Sequence, residues 1–365
     1  MKLTIKTEKL KEMVSRAVKG VGNNKLIPLT SLMCIELKDN KLTLITTDAT
    51  NYLYITEDKV IADDFYAVVD ANMFSKLISK MTCDNITLEI KTGILSVKGN
   101  GNYKIELPLD ENGEPIKYPD PYEKLCDVSS DVGTINRTTI QVILETIKPA
   151  LATTLENPCY TGYYVGDNIV ATDTYKIASM GVKLFESDPK LVSAELLDLL
   201  AVMNAEKIRV ETSDNDVIFI TPDCIVCGKF MEGIDDYAID AITDLVNTEI
   251  DSFCSVPKSA LLQLLDRLSL FVGTYDKNAV HLTFTNEGLQ VSSKAANGIE
   301  LIKYVVSDNF KDFTCSIDIQ MLTQEVKAIQ SDVIEMYYGE DNAIKMTDGN
   351  ITIIVALLED DDMEE

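Results

Sequence analysis

MFSKLISKMTCDNITLEIKTGILSV (residues 73–97) is the stretch that decides the fold, because the chain writes its pattern three times. The second version is ELLDLLAVMNAEKIRVETSDNDVIFI (195–220), and the third is MLTQEVKAIQSDVIEMYYGEDNAIKM (321–346). Each has a helix with one apolar face, a short polar break, then alternating strands joined by a Gly, Asn or Asp turn. Ile86, Ile208 and Ile334 fall at equivalent places, about 125 residues apart. A period that long marks a repeated domain rather than a solenoid, since each unit is large enough to bury its own core.

Working outward, the first unit opens with the strand LTIK (3–6) and a helix from about Thr7 to Gly20. Leu10, Met13, Val14 and Ala17 give that helix one apolar stripe. The strands SLMCIELKDN (31–40) and KLTLITTDATNYLYI (41–55) follow, with Asp39-Asn40 as a tight hairpin turn. The second unit's first helix covers about Arg137 to Leu155, and Pro149 is placed to kink or end it. The third unit's helix opens at Val256-Pro257-Lys258, with Pro at a favoured first position. Each unit reads as about two helices and six to eight strands. The fold class is therefore α+β, with helices laid on one face of antiparallel sheet. Domain limits are expected at 1–122, 123–250 and 251–365, with the Pro-rich ENGEPIKYPDPYEK (111–124) as the first linker. The last residues, EDDDMEE (359–365), read as a solvated acidic tail.

Hydrophobic residues make up 46% of the 365-residue chain, enough for several cores. No apolar run is long enough to span a bilayer, and MKLTIKTEKLKEM has charges where a signal peptide needs an apolar core. A cytoplasmic protein is expected. The eight cysteines are scattered and several sit in strand-like apolar contexts, so they read as reduced core residues. Cys224 and Cys227 form a lone CxxC in an alternating strand pattern, with no second ligand pair to complete a zinc site. The formal charge of −26 argues against a surface basic throughout, but it leaves room for a basic inner face on an acidic molecule.

The catalytic motifs are missing. GVGNNK (20–25) lacks the second glycine and the hydroxyl of a phosphate loop, and no GxSxG or HExxH occurs. The single histidine, His281, lies in the strand pattern VHLTF and reads as an ordinary strand residue. Asp48 of TTDAT and Asp173 of ATDTY recur at matching places and read as turn residues of the shared fold. No catalytic residue, metal or cofactor is assigned.

These segments carry a family likeness. KLTLITTDATNYLYI, LIPLTSLMCIEL (26–37), VDANMFSKLISKM (69–81), ATDTYKIA (171–178) and IDDYAI (234–239), in this order and spacing, resemble the bacterial replicative DNA polymerase sliding clamp, the beta subunit. In ATDTYKIA, Tyr175, Lys176 and Ile177 stand at the family's His-Arg-Leu positions. Departures include Ile242 in place of a proline, Lys277 in place of an aromatic, and the acidic residues after ITIIVALL. They fall around the family's partner-peptide pocket. A divergent member of phage or mobile-element type would look this way.

The resemblance implies a non-enzymatic processivity factor: three tandem clamp domains forming half of a six-domain ring, closed head to tail as a homodimer around double-stranded DNA. It implies a clamp loader and a replicative DNA polymerase as partners, and no membrane. Inner-face cations would be Lys9, Lys11, Arg16, Lys19, Lys25, Lys76, Lys80, Arg137, Lys148, Lys190, Lys258, Arg267 and Lys327. The implied peptide pocket comprises Tyr160, Thr172, Thr174, Tyr175, Lys176, Ile177, Ile242, Val246, Met321, Val355 and Leu357. The implied dimer interface comprises Tyr103, Ile105, Leu107, Phe271 and Val272. Two rivals stay open. One is an acidic repeat scaffold without DNA, and the other a carboxylate metal-dependent enzyme.

Overall fold

The computed structural model describes residues 2–273, 275, 277–293, 297–306, 310–339 and 342–359, so most of the acidic tail lies outside the described residues. The first repeat runs β1 (Lys2–Lys6), α1 (Thr7–Ala17), β2 (Leu32–Lys38), β3 (Lys41–Thr47), β4 (Tyr52–Glu57), β5 (Phe65–Asp70), α2 (Ala71–Ser79), β6 (Asn85–Lys91), β7 (Ile94–Lys98) and β8 (Asn102–Glu106). A short helix, α3 (Tyr122–Cys126), lies in the connection. The second repeat runs β9 (Ser130–Asn136), α4 (Arg137–Val142), β10 (Gly162–Val165), β11 (Ile169–Thr172), β12 (Lys176–Met180), β13 (Lys190–Ser193), α5 (Ala194–Leu199), β14 (Lys207–Thr212), β15 (Asp216–Thr221) and β16 (Cys224–Lys229). After α6 (Ile239–Asn247) comes the third: β17 (Phe253–Pro257), α7 (Lys258–Leu268), β18 (Ala279–Thr285), β19 (Gly288–Ser293), β20 (Ile299–Ile302), a two-residue β21 (Val305–Val306), β22 (Phe313–Asp318), α8 (Ile319–Ala328), β23 (Val333–Tyr337), β24 (Ala343–Asp348) and β25 (Ile351–Ala356). Apart from β21 the order is the same three times.

The repetition extends to register. Ile86, Ile208 and Ile334 each face the strand that precedes the first helix, opposite Ile5, Ile135 and Val256, and all three are fully buried. In each repeat the opening strand joins the last three strands, and the four middle strands form a second set. Two of these sets merge with sets of the next repeat, giving sheets of eight strands (β5-β2-β3-β4-β16-β15-β14-β9) and nine strands (β13-β10-β11-β12-β25-β24-β23-β17-β21). The other two, β1-β6-β7-β8 and β20-β19-β18-β22, remain four-stranded.

By packing, the chain divides into two compact units: residues up to Ile140 with Phe185–Ser187 and Glu195–Phe230, and Gln141–Leu184 with Asp188–Ala194 and the chain from Met231 on. The first holds the eight-stranded sheet and the β1-β6-β7-β8 sheet, with α1 packed beside α2. The second holds the nine-stranded sheet and the β20-β19-β18-β22 sheet, with α7 beside α8.

Local chemistry explains the elements. The α1 stripe of Leu10, Met13, Val14 and Ala17 is buried. Asp70 caps α2 through the Met73 N–H, and Asp318 caps α8 through Gln320 and Met321. Asp39 and Asn40 both take positive φ (53° and 62°), the geometry of a two-residue hairpin turn. The second repeat's first helix stops earlier than its sequence suggests. It passes through a π segment (Ile143–Ile147) and a last turn (Lys148–Ala150), because Pro149 supplies no N–H to carry it towards Leu155. All eight cysteines are free thiols, and burial pushes Cys34, Cys224 and Cys254 up to about 12. His281 Nδ1 lies 2.8 Å from Ser316 Oγ on the neighbouring strand. No described helix is long and apolar enough to cross a membrane.

Candidate partner-binding face and free sheet edges

Two strand seams join neighbouring repeats, and they are built alike. In the first, β4 pairs with β16, placing Leu53 opposite Val226 and Ile55 opposite Cys224. In the second, β12 pairs with β25, placing Ala178 opposite Ile353 and Met180 opposite Ile351. The turns entering β4 and β12 match bond for bond. Thr47 Oγ1 donates to Asn51 O at 2.6 Å, and Thr172 Oγ1 donates to Lys176 O at 2.6 Å. Asp48 Oδ1 accepts from Thr50 N and Asn51 N (2.8 and 2.7 Å), and Asp173 Oδ1 accepts from Tyr175 N and Lys176 N (3.0 and 2.8 Å). Ala49 and Thr174, between them, take φ of 90° and 77°. The two aspartates are turn residues.

Each seam joins the third strand of one repeat's middle set to the last strand of the next repeat. That rule leaves two edges without a neighbour among the described residues: β8, the last strand of the first repeat, and β20, the counterpart of β4 and β12 in the third. Tyr103 on β8 and Phe271 after α7 are exposed, at 41% and 51%. Ile105 is buried within its own repeat, and Leu107 and Val272 are half-buried.

The outer face of the second seam carries the apolar cluster. Ile177 packs with Ile354, Val170, Cys159, Leu191, Tyr237, Ile242 and Ala343, and Tyr160, Tyr164, Leu245 and Val246 surround them. Of the residues that the resemblance put in a pocket, Tyr160, Ile177, Ile242 and Val246 are thus brought together. Tyr237, which sequence reading missed, organises the group. Its ring meets Tyr160 edge-on at 5.0 Å, and its hydroxyl donates to Val170 O at 3.2 Å. Lys345 Nζ anchors the end of α6 through Val246 O (2.7 Å) and Thr248 O (2.9 Å). At the rim, Thr174 and Tyr175 sit on the exposed turn, with Tyr175 61% exposed. The Tyr175 carbonyl accepts from Ala356 N at 2.9 Å, which ties the turn to the segment carrying Leu357. Thr172 is buried in its turn bond, and Met321 is half-buried in the first turn of α8, outside the cluster.

Two pocket residues are corrected by strand alternation, which sends neighbours to opposite faces. Lys176 and Val355 are paired across the seam and point away from the Ile177–Ile354 face. Lys176 is therefore no rim cation. Its buried Nζ lies 2.7 Å from Pro149 O, 3.2 Å from Gln324 Oε1, 3.2 Å from Glu325 Oε1 and 3.6 Å from Asp173 Oδ2. Glu325 is fully buried, and neither of its oxygens has a well-directed hydrogen bond among the described residues, so charge holds the pair. Burial pushes the Glu325 carboxyl up to about 7 against the pull of the Lys176 ammonium.

The candidate inner-face cations divide in two. Arg16 is also corrected. It is 9% exposed, with its guanidinium on Asp223 (2.7 Å) and Val202 O (3.0 Å), so it serves the fold. Lys9 pairs with Glu57 (2.8 Å), Lys258 closes the end of α8 through Lys327 O (3.2 Å) and Ile329 O, and Arg267 clasps Glu300. Arg137 reaches Asn204 O at 3.4 Å, and Lys148 and Lys190 are half-buried with partners of their own. Lys19, Lys25, Lys76, Lys80 and Lys327 are exposed without an ion pair to described residues, and Lys11 lines a groove between α1 and α2. No three His, Cys, Asp or Glu side chains are grouped as a metal site among the described residues.

Comparison with known proteins agrees with this architecture. A family model described as DNA polymerase III beta subunit, N-terminal domain, matches residues 1–114. The beta sliding clamp of Staphylococcus epidermidis is 22% identical over 362 residues, covering 93% of each chain, and that of Bacillus subtilis is 20% identical over 333 residues, covering 85% of each. Among solved structures, the beta subunit from Thermotoga maritima matches with a TM-score of 0.83 at 16% identity, covering 98% of this chain and 99% of that one. The beta subunit from Borrelia burgdorferi, in complex with a natural product, matches with a TM-score of 0.84 at 16% identity and the same coverage. In fold, repeat order and sequence along most of its length, this chain is similar to the DNA polymerase III beta subunits, the beta sliding clamps.

Proposed function

We propose that the chain is the protomer of a DNA sliding clamp, a non-catalytic processivity factor of the cytoplasm. Its domains are 1–122, 123–250 and 251–365. Two copies join head to tail into a ring of six domains that encircles duplex DNA, and the ring tethers the replicative polymerase after a clamp loader has opened it.

The observation that supports this reading is the seam rule. β4–β16 and β12–β25 share one register, and β20 and β8 are the unpaired counterparts. Carried to a second copy, the rule sets β20 antiparallel to β8 with Gly298 opposite Tyr103. Side-chain volumes fit. Counting from each helix start, Gly20, Ala150 and Phe271 are equivalent; Gly20 stands beside Leu53, and Phe271 beside Gly298. In the first seam the helix residue, Gly20, is small and the strand residue, Leu53, is large, and the reverse holds at the free edge, where a Cβ on Gly298 would lie 3.2 Å from the Phe271 ring.

The exposed Lys19, Lys25, Lys76, Lys80 and Lys327, with Lys11, supply weak phosphate contacts without base readout, as sliding requires. The acidic remainder of the molecule disfavours DNA elsewhere. Tyr160, Ile177, Ile242, Val246 and Leu357 take the apolar anchors of a partner peptide. The test is loading onto a nicked circle. Retention should survive dilution on the circle and end on linearisation, and equal retention on both forms would reject topological linkage.

A further inference from the structure

The third seam differs from the two within the chain in its charges. By strand register Glu300 is the counterpart of Ile55 and Met180, both buried, and it would face Gly101, the counterpart of Cys224 and Ile351. A carboxylate thus enters a row that is apolar in both finished seams. By helix register Arg267 is the counterpart of Arg16 and Thr146. Those two reach across their seams to a helix end, Arg16 Nε to Val202 O at 3.0 Å and Thr146 Oγ1 to Ala328 O at 2.9 Å, and Arg16 also pairs with Asp223 across the seam at 2.7 Å. Arg267 instead binds Glu300 of its own repeat through both guanidinium arms, at 2.7 and 2.5 Å. Asn100 occupies the turn that corresponds to Asp223's, and its side chain is already engaged by Thr82 and Cys83.

We propose that Arg267 and Glu300 form a charged clasp, made within one copy, that weakens the seam between two copies of this chain. The proposal rests on the head-to-tail reading above. Closure carries an ion pair into an otherwise apolar row opposite Gly101, which has no side chain of its own to answer it. Removing both charges should therefore tighten the seam, and removing only the arginine should loosen it, because an unpaired carboxylate is then buried.

The experiment measures dimer dissociation by sedimentation velocity, and subunit exchange by mixing two fluorescently labelled full-length populations. Arg267→Met with Glu300→Ile should dissociate at least tenfold more weakly than the parent and exchange more slowly. Arg267→Met alone should dissociate at least tenfold more readily. A third variant, Tyr103→Glu, tests the reading beneath the proposal, since it sets a charge on the exposed face of β8 and should abolish the dimer. Circular dichroism confirms that each variant is folded. If Tyr103→Glu leaves the dimer intact, the head-to-tail seam is wrong. If it abolishes the dimer while the double variant is no tighter than the parent, the seam stands and the clasp is overturned.

Discussion

The two seams within the chain share a register and differ in what lies on their faces. Over the first, the connecting segment seals the sheet. Tyr118 is buried against Tyr54, Ile225 and Cys227, its hydroxyl donates to Leu32 O at 3.0 Å, and Tyr54 donates to Asp120 at 2.8 Å. Over the second, Tyr237 plays the sealing part, but Tyr160 and Tyr175 stay at the rim. The helix-facing sides differ as well. The slot filled by Asn51 in the first seam holds Lys176 in the second, and the cation of the first seam comes from α1. One architecture can thus close its seam into a core or leave aromatic side chains at its rim by changing a few side chains.

The largest expected break in the comparison comes from the buried charges. Lys176→Met leaves Glu325 buried without a cation and should cost about 3 kcal/mol or more of unfolding free energy. Asp223→Asn removes a partly exposed pair, and about 1 kcal/mol is expected. Urea titration of the two variants ranks them, and equal losses would erase the contrast.

The second test is pH. Glu325 titrates near 7 in the fold and near its ordinary value when unfolded, so the native state binds the extra proton. Its contribution is complete below the unfolded pKa and is lost as pH rises towards and through 7. Glu325→Gln should therefore gain on the parent between pH 5 and 8, by about 3 kcal/mol at most. Thermal melts at the two ends check it, and a gap that stays flat with pH would show that the carboxylate is already ionised in the fold.

Next comes the docking face. Tyr160→Ala or Leu357→Asp should weaken a polymerase C-terminal peptide by about 2 kcal/mol, roughly thirtyfold. Tyr52→Ala, the counterpart of Ile177 in the sealed seam, should leave affinity unchanged. Calorimetric titration separates them. Unchanged affinity in both pocket variants would mean that partners dock elsewhere. The smallest effect sharpens the likeness. Asp48→Ala and Asp173→Ala each remove two turn hydrogen bonds and should each cost about 1–2 kcal/mol. Values that differ by more than that would show that the turns are not equivalent.

Much of this was legible in the chain. The equivalence of Ile86, Ile208 and Ile334 follows from periodicity, and the turn roles of Asp48 and Asp173 follow from residue type. Both are local signals repeated at a fixed spacing. The roles of Arg16 and Lys176 were not legible. Each depends on a partner far away in sequence, Asp223 and Glu325, and on which face a strand residue takes once its seam register is set. Glu325 carried a faint signal, a glutamate beside Val326 on the apolar side of α8. Nothing local says that a lysine on a neighbouring repeat would meet it.

The connections covering the two seams have a kinetic consequence. Residues 107–129 and 230–252 join consecutive repeats through segments of the same length, 23 residues. A tether that short holds two strand edges at an effective concentration in the millimolar range, so a seam that breaks recloses before the pieces can part. The edges β8 and β20 have no such tether to one another across two copies and meet only at the bulk concentration of the protein. In a ring of two chains, four joints would then be self-healing and two would depend on abundance. Dilution would then add to the charged row at that seam in deciding where the circle comes apart.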